Sequence, residues 1–206
     1  MKTSSKTDID AYWNHNTVYH KWLLSHVKGR KKVLDVGCGD GLLVYRLSMV
    51  CEQVIGIDTH RPSIEKAKQR LYKTKNSLVI NVGFENFKGE PYTFDAIIFV
   101  ASLHHMDLDF CIKKSVELLK PSGKLLIVGL AHPESIFDWI IEIGRMLPVK
   151  LGDLFHDVKG DVGAPIINAK ERLGDIRKIA KEELPNAKIK QALYYRYLLT
   201  WVKPNK

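Results

Sequence analysis

Cysteine is scarce in this chain of 206 residues, which contains three: Cys38, Cys51 and Cys111. Their number is odd and they lie far apart in the sequence, so neither a disulfide framework nor a metal-ligand spacing is present. We interpret them as structural thiols and predict no metal site.

Long apolar runs are also missing, since none reaches the roughly 18 residues that a helix needs to span a bilayer. Residues 1–10 are polar and lack the apolar centre of a signal peptide. No internal repeat or low-complexity segment is visible. The sequence therefore predicts a cytoplasmic protein with no membrane span.

The formal net charge is +9, and the excess of Lys and Arg lies towards the two ends of the chain. Such an excess fits an acidic partner, including nucleic acid, or ordinary solvated helix faces. No basic run alternates with aromatic residues as a nucleic-acid platform does, so we favour solvated faces.

A glycine-rich segment over residues 33–41, VLDVGCGDG, is typical of a buried strand that turns through a loop into a helix, here over 42–50. Glycines let the backbone turn tightly and approach a ligand, and the helix start offers N–H groups to a carboxylate or phosphate. A second strand, 54–58, ends in Asp58, where nucleotide-binding α/β folds commonly bind ribose hydroxyls. These features predict a site for a nucleoside-containing cofactor.

The spacing of the glycines distinguishes between cofactors. A dinucleotide site has the pattern G-x-G-x-x-G, whereas here the third glycine comes one residue early and Leu42 stands where that pattern has Gly or Ala. Asp35 also precedes the first glycine by two residues. The spacing argues against an NAD-type Rossmann oxidoreductase, which remains as an alternative.

Strands and helices alternate along the first 130 residues. We predict strands at 32–36, 54–58, 78–82, 94–100 and 124–130, and helices at 11–28, 42–50, 63–73 and 109–119. This alternation is typical of an α/β fold with an open parallel sheet and helices on both faces.

Beyond residue 131 the pattern changes. We predict helices at 133–147 and 169–183, a long loop at 148–168, and two strands at 187–193 and 195–202. The two strands would complete a doubly wound, seven-stranded, mostly parallel sheet as its antiparallel C-terminal edge. The whole chain, 1–206, is predicted to be one domain with a helical cap (1–30), a cofactor-binding half (31–131) and a substrate-side part (132–206).

Several segments, in the expected order, resemble motifs of class I S-adenosylmethionine-dependent methyltransferases. They are the D-x-G-x-G-x-G loop at 35–41, the acidic strand end at 56–58, the strand 94–98 followed by Ser102-Leu103-His104-His105, and the turn L-K-P-S-G-K at 119–124. The tail at 195–204 is also similar. The likeness is to the small-molecule, ubiquinone-biosynthesis-like branch (types 11, 12 and 25). It implies a Rossmann-like fold and methyl transfer from S-adenosylmethionine to a small-molecule acceptor.

The resemblance also implies a cofactor site. The backbone of Gly37–Gly39 would face the methionine portion, with Asp35 orienting its ammonium, and Asp58 would accept hydrogen bonds from the ribose hydroxyls. The cofactor-binding residues are accordingly expected to be Asp35, Gly37, Cys38, Gly39, Gly41, Asp58, Thr59, Phe84 and Val100. Two alternatives stay open: Asp35 could stabilise the loop by bonding backbone N–H groups, and Asp58 could cap the helix near Pro62.

The chain departs from the family pattern at two places. Ser122 replaces a usual glycine, which is harmless if the position needs no positive φ. Gly83 or Phe84, depending on the register, replaces an Asp that in family members accepts from the adenine amino group. We predict that Phe84 contacts the adenine by stacking or apolar contact, with Glu85 as the alternative acceptor.

Two histidines, His104 and His105, follow the fourth strand at the sheet edge where ligands bind in open α/β folds. An unperturbed pKa of about 6.5 suits a histidine to remove a proton from an acceptor hydroxyl or amine. We predict them as candidate catalytic bases, with His105 favoured. The alternative is that both only pack or line the pocket.

Two further functions compete with methyl transfer to a small molecule. In a nucleic-acid methyltransferase, an Asn/Asp-Pro-Pro-aromatic motif usually follows the fourth strand, and none is present here. A protein that binds the cofactor without turning it over is excluded by no feature of the sequence.

Overall fold

The computed structural model describes residues 16–130, 173–192 and 196–205. Seven strands in these ranges form one sheet in the order β3-β2-β1-β4-β5-β7-β6. They are β1 Lys32–Val36, β2 Gln53–Asp58, β3 Ser77–Asn81, β4 Phe94–Val100, β5 Leu119–Leu130, β6 Lys188–Ala192 and β7 Arg196–Val202. Strands β1 to β5 pair in parallel, and β7 runs antiparallel to β5 and to β6. The predicted seven-stranded, mostly parallel sheet with an antiparallel C-terminal edge is confirmed.

Helices cover both faces of this sheet. Those in the described ranges are α1 His20–Val27, α2 Leu42–Ser48, α3 Arg61–Leu71, α4 Leu108–Leu118 and α5 Leu173–Glu183. Buried side chains of α1, α2 and α3 form one core cluster, and those of α4 and α5 belong to another. In β4, Ile97 joins the cluster of α4 while Ile98 joins the cluster of α2. Because successive strand residues point to opposite faces, a nearly continuous apolar strand supports both layers.

Local signals set where two of the helices begin. Pro62 lies in the first turn of α3, where its missing N–H is not needed. Asp107 precedes α4, and its carboxylate accepts a hydrogen bond from the N–H of Phe110 at 2.8 Å. Across the described residues, most predicted helix and strand ends lie within one or two residues of the observed ones.

The start of β5 differs more. The sequence predicted a strand from residue 124 after a turn, whereas β5 begins at Leu119 directly after α4. Its register with β4 shifts between the pairs Phe94–Leu119 and Ala96–Lys124. Ser122 lies in this irregular stretch with φ 60°. Position 122 therefore has the positive φ that favours glycine. The serine was expected to be harmless only without a positive φ, so it carries backbone strain here.

Some predicted elements fall outside the described residues. These are the helix at 133–147, the loop at 148–168, and the beginnings of the helices predicted for 11–28 and 169–183. In the described part of the segment 11–28, the chain forms a 3-10 turn, Thr17–Tyr19, and then α1.

The order of the strands indicates where a ligand binds. From β1 the chain proceeds to β2 and β3 on one side, and it returns to β4 and β5 on the other. In open α/β sheets, ligands bind at the carboxyl ends of the strands where the order reverses. Here that point lies between β1 and β4.

Candidate functional site

The loop between β1 and α2 packs tightly against the end of β4. Gly37 has φ 77°, and a Cβ at this position would collide with the Cβ of Ser102. Ser102 donates a hydrogen bond from Oγ to the carbonyl oxygen of Val36 at 2.6 Å. The N–H groups of Gly37 and Cys38 both donate to the carbonyl oxygen of Ile57, at 2.8 and 3.0 Å. The loop is thereby held to β1, β2 and β4 at once.

Asp58, the last residue of β2, connects this loop to the start of α3. Its Oδ2 accepts a hydrogen bond from the N–H of Gly39 at 2.8 Å, and its Oδ1 accepts one from the N–H of His60 at 2.7 Å. His60 is itself the N-cap of α3, so Asp58 does not bond an N–H inside the helix as a capping residue would. Each carboxylate oxygen has a second lone pair, and the half-buried Asp58 can therefore accept two more donors.

Asp35 is a buried acid beneath the loop. The residue is 1% exposed, and its Oδ2 has no hydrogen-bond partner. Burial, and secondly the nearby Asp58, raise the pKa of Asp35 to about 7. Since an unpartnered buried carboxylate oxygen is costly, a cationic donor beside Asp35 would both satisfy this oxygen and lower the pKa.

An open cavity of about 220 Å³ lies beside the loop. It is lined by five of the predicted cofactor-binding residues: Asp35, Gly37, Cys38, Gly39 and Val100. Gly41 is placed differently, because it packs against Ala67 of α3. Tertiary structure thus brings together residues from β1, from the loop and from the end of β4.

Another wall of the cavity comes from the N-terminal segment, through Asn16, Thr17 and His20. His20 is buried, and its Nδ1 lies 2.9 Å from Nη1 of Arg46 on α2. Burial, and secondly the charge of Arg46, lower the pKa of His20 to about 4, so His20 is neutral at physiological pH. Our reading of the sequence missed this pair, because only the packing of α1 on α2 brings the two residues together.

Beyond Asp58, a second group of residues gathers around Gly83. A Cβ at Gly83 would lie 2.9 Å from Oε2 of Glu85 and 3.2 Å from Cγ2 of Thr59. Asn81 donates from Nδ2 to the carbonyl oxygens of Asp58 and Thr59, at 2.8 and 2.9 Å. The carboxylate of Glu85 therefore takes up the space that a side chain at position 83 would occupy.

Phe84 does not belong to this exposed group. It is 1% exposed, and its ring packs edge to face on Phe99 with the centroids 5.4 Å apart. The Nζ of Lys114 lies 5.3 Å from the centre of the Phe84 ring. Because an enclosed ring has no free face for a ligand, the structure contradicts the predicted contact of Phe84 with adenine. Phe84 anchors the 3-10 turn Phe84–Asn86 in the core instead.

The two candidate bases lie in the 3-10 turn Leu103–His105 after β4, with their ring centroids 3.9 Å apart. His104 is half-buried, and its Nδ1 has no hydrogen-bond partner. Burial, and then the charges of His105 and Arg196, lower the pKa of His104 to about 4. His104 is therefore neutral at physiological pH and a weak base. Neither ring is among the described side chains that line the cavity, so a catalytic role for either stays a prediction.

Within residues 16–130, 173–192 and 196–205, no helix combines the length and the hydrophobicity that a membrane crossing requires. The same ranges contain no group of three or more His, Cys, Asp or Glu side chains arranged to hold a metal ion.

Known proteins are similar to this chain in sequence. Residues 33–123 match a family model described as a methyltransferase domain. An uncharacterised methyltransferase of Mycobacterium bovis is 30% identical over 201 residues, which cover 95% of this chain and 100% of the relative. A ubiquinone biosynthesis O-methyltransferase of Xanthomonas oryzae pv. oryzae is 29% identical over 184 residues, which cover 84% of this chain and 76% of the relative.

The fold is also shared with solved structures. One of them is a SAM-dependent methyltransferase from Aquifex aeolicus, which superposes with a TM-score of 0.63 at 15% sequence identity. The match covers 97% of this chain and 99% of that protein. At this identity the likeness concerns the fold alone.

Proposed function

The chain belongs to the class I S-adenosylmethionine-dependent methyltransferases, and on that basis we propose that it transfers a methyl group from S-adenosylmethionine to a small-molecule acceptor. The observation that carries the proposal is the buried carboxylate of Asp35. Its Oδ2 has no partner, and it borders a cavity that the glycine loop and Val100 also line. An amino-acid ammonium supplies the cationic donor that this oxygen lacks.

The remaining residues fit the rest of the cofactor. Asp58 has lone pairs left for two ribose hydroxyls, since each of its oxygens accepts one backbone N–H. Glu85, whose Oε2 lies beside Gly83 and close to the end of β2, would accept a hydrogen bond from the adenine amino group. Asp35 would thus bind the amino-acid end of the cofactor, Asp58 its ribose and Glu85 its adenine.

When bound, S-adenosylmethionine supplies an electrophilic methyl group. The protein then has to hold and align the acceptor, and such alignment can lower a barrier by about 7–11 kcal/mol. Val100 lies on the cavity wall at the end of β4, next to the turn that carries His104 and His105. A neutral His104 can take a proton there, but a base of such low pKa suits only an acceptor that loses its proton easily.

A small-molecule acceptor is supported by two observations. A relative of this chain is named for methylation in ubiquinone biosynthesis, whose acceptor is a small molecule. In addition, Asn16, Thr17 and His20 line the cavity from the N-terminal side, which gives a concave site rather than a flat platform. An oxidoreductase using NAD and a methyltransferase acting on nucleic acid remain the competing functions.

Isothermal titration calorimetry tests the cofactor assignment. We expect the protein to bind S-adenosylhomocysteine and not NAD. An Asp35→Asn variant should weaken the binding at least tenfold, as expected when one hydrogen bond to a charged group is lost. Asp109→Asn is the matched control, because Asp109 is an exposed acid on α4 paired with Lys113, and it should bind as the wild type does. Binding of NAD alone would overturn the proposal.

The acceptor class needs a second experiment. The enzyme is incubated with S-adenosylmethionine labelled in the methyl group, together with an ultrafiltered metabolite extract or, separately, with total RNA or DNA. We expect the label to enter the metabolite fraction. Label in the nucleic acid, with binding that weakens steeply as salt increases, would favour the competing function.

A further inference from the structure

The pair formed by His20 and Arg46 has no role in the site as described so far. His20 is 5% exposed and lies at the beginning of α1, and Arg46 is half-buried on α2. The distance between His20 Nδ1 and Arg46 Nη1 is 2.9 Å. Buried histidines that only pack do not need a charged partner, and His20 also lines the cavity beside the glycine loop.

The partner of Nδ1 determines where the proton of His20 resides. A guanidinium group can only donate hydrogen bonds, so Nδ1 must accept, and the neutral ring then carries its proton on Nε2. Burial and the charge of Arg46 both favour the neutral ring. Arg46 therefore holds His20 in one tautomer, whose Nε2–H is the donor available to a ligand in the cavity.

The charges around the cavity are arranged for a zwitterion. Asp35 lines it with an oxygen that has no partner. Asp40 also lines it, but its Oδ2 is already paired with Arg70 at 2.6 Å. His20 adds a hydrogen-bond donor to the same cavity, and Arg46 places a positive charge behind His20. One side of the cavity thus attracts an ammonium and another attracts a carboxylate.

We propose that His20 binds the carboxylate at the amino-acid end of the cofactor through its Nε2–H, and that Arg46 is the positioning residue that sets the tautomer of His20. The inference rests on the proposed function, because it concerns the same cofactor. His20 and Arg46 would then determine specificity, because the site would bind the intact cofactor more tightly than an otherwise identical nucleoside that lacks the carboxylate.

Two ligands test the proposal by calorimetry: S-adenosylhomocysteine and S-adenosyl-3-thiopropylamine, which is the same molecule without its carboxylate. We expect the wild type to prefer the former by about 10- to 100-fold, as expected for a hydrogen bond to a charged group. His20→Ala and Arg46→Met, the second of which has no N–H to donate to Nδ1 of His20, should lose this preference while they bind the thiopropylamine as the wild type does. Retained binding of the thiopropylamine also shows that each variant is folded.

Matched controls separate the pair from its surroundings. His26→Ala removes a histidine at the other end of α1, where Nδ1 contacts the carbonyl oxygen of Trp22, and Arg30→Gln removes another arginine. Both should keep the wild-type preference. His20→Gln retains an N–H donor and should recover part of it. In the wild type, nitrogen NMR of labelled histidine should show His20 with its proton on Nε2.

Each result decides between the two proposals. If the wild type binds both ligands equally well, or if His20→Ala and Arg46→Met leave the preference intact, the role of this pair is wrong while the cofactor assignment stands. Should His20→Ala fail to fold, Arg46→Met and the wild-type preference still decide. If the wild type binds neither ligand, the proposed function itself fails.

Discussion

At the residue scale, Asp35 reduces the stability of the fold in which it lies. An aspartate in an unfolded chain has a pKa of about 3.9, whereas burial and then Asp58 raise that of Asp35 to about 7. Folding is therefore disfavoured when Asp35 is charged. The penalty is absent below the unfolded pKa, grows as the pH rises, and is complete above the folded pKa. A destabilising acid beside a cavity is typical of a functional site.

Replacing Asp35 by Asn should therefore stabilise the protein without ligand. We expect the free energy of unfolding of Asp35→Asn to exceed that of the wild type by about 4 kcal/mol at pH 8, and the difference to vanish towards pH 4. Urea denaturation across this pH range measures it. The control, Asp109→Asn, should show no such trend, and a difference for Asp35→Asn that does not change with pH would contradict the assigned cause.

The same carboxyl should make cofactor binding depend on pH. Near pH 6 Asp35 is mostly protonated, and a bound ammonium favours the charged form, so binding must release a proton. The affinity for S-adenosylhomocysteine should thus rise about tenfold from pH 6 to pH 8. Calorimetry in two buffers of different ionisation enthalpy measures the released proton. In Asp35→Asn the profile should be flat over this range.

Ser122 is a second residue whose backbone carries strain. Its φ is 60°, a conformation that disfavours residues with a Cβ. Ser122→Gly should raise the free energy of unfolding by about 0.5 kcal/mol, because relief of the strain exceeds the extra chain entropy of glycine. Ser122→Ala keeps the strain and loses the bond from Oγ to Asn205 Oδ1. Urea titration should rank Gly above Ser and Ser above Ala, and equal stability of Gly and Ala would contradict the explanation.

At the scale of elements, the glycine loop has one side that packs against the fold and one side that faces the cavity. At Gly37 a Cβ would collide with Ser102, whereas at Gly39, also at positive φ, a Cβ would meet nothing within 4 Å. Gly39 nevertheless lines the cavity, and its N–H bonds Asp58. The first glycine is therefore required for folding and the second for keeping space open.

Alanine at these two positions should separate the two roles. Gly37→Ala should cost about 3 kcal/mol of stability or more, because it adds a collision to the strain of a positive φ. Gly39→Ala should cost only about 1 kcal/mol, yet it should weaken the binding of S-adenosylhomocysteine at least tenfold. Thermal unfolding and calorimetry on both variants provide the test. A Gly39→Ala variant that binds normally would show that the cofactor does not approach this loop.

Most elements could be predicted because their signals are local. The strand 94–100 is apolar nearly throughout, and its predicted bounds are those observed. The start of β5 was missed because Pro121 and Gly123 are typical turn residues. The structure nevertheless includes both of them in β5. In the candidate site, the spacing of the sequence predicted the loop glycines and Asp35, and Asp35, Gly37 and Gly39 line one cavity. Phe84 was misassigned because its burial depends on Phe99 and Lys114, which are distant in sequence.

At the scale of the whole molecule, the candidate site lies where the ends of β1, β2 and β4 meet. The antiparallel edge is distant from it, since β7 is two strands away from β4 and β6 is three strands away. A ligand that binds only the folded state stabilises the molecule, by about 2.7 kcal/mol at a concentration of one hundred times Kd. The local effect of binding should be confined to the ends of β1, β2 and β4.

Hydrogen exchange measured by mass spectrometry should show this pattern. With S-adenosylhomocysteine, amides at 37–41, 58–60 and 100–102 should exchange more slowly, while those of α5 and β6 change little. NAD at the same concentration should leave all of these segments unchanged. Protection centred on β6 and β7 would place the ligand elsewhere.

The sequence by itself determined the alternation of strands and helices, the glycine loop and the acids at the strand ends, because apolar periodicity and turn chemistry act between near neighbours. Only the tertiary structure decided the charge states of the site. Asp35 has a raised pKa because distant segments bury it beside Asp58, and His20 is neutral because α2 brings Arg46 against it. Desolvation and charge–charge interactions depend on distances in space, and these arise only once the sheet and its helices have packed.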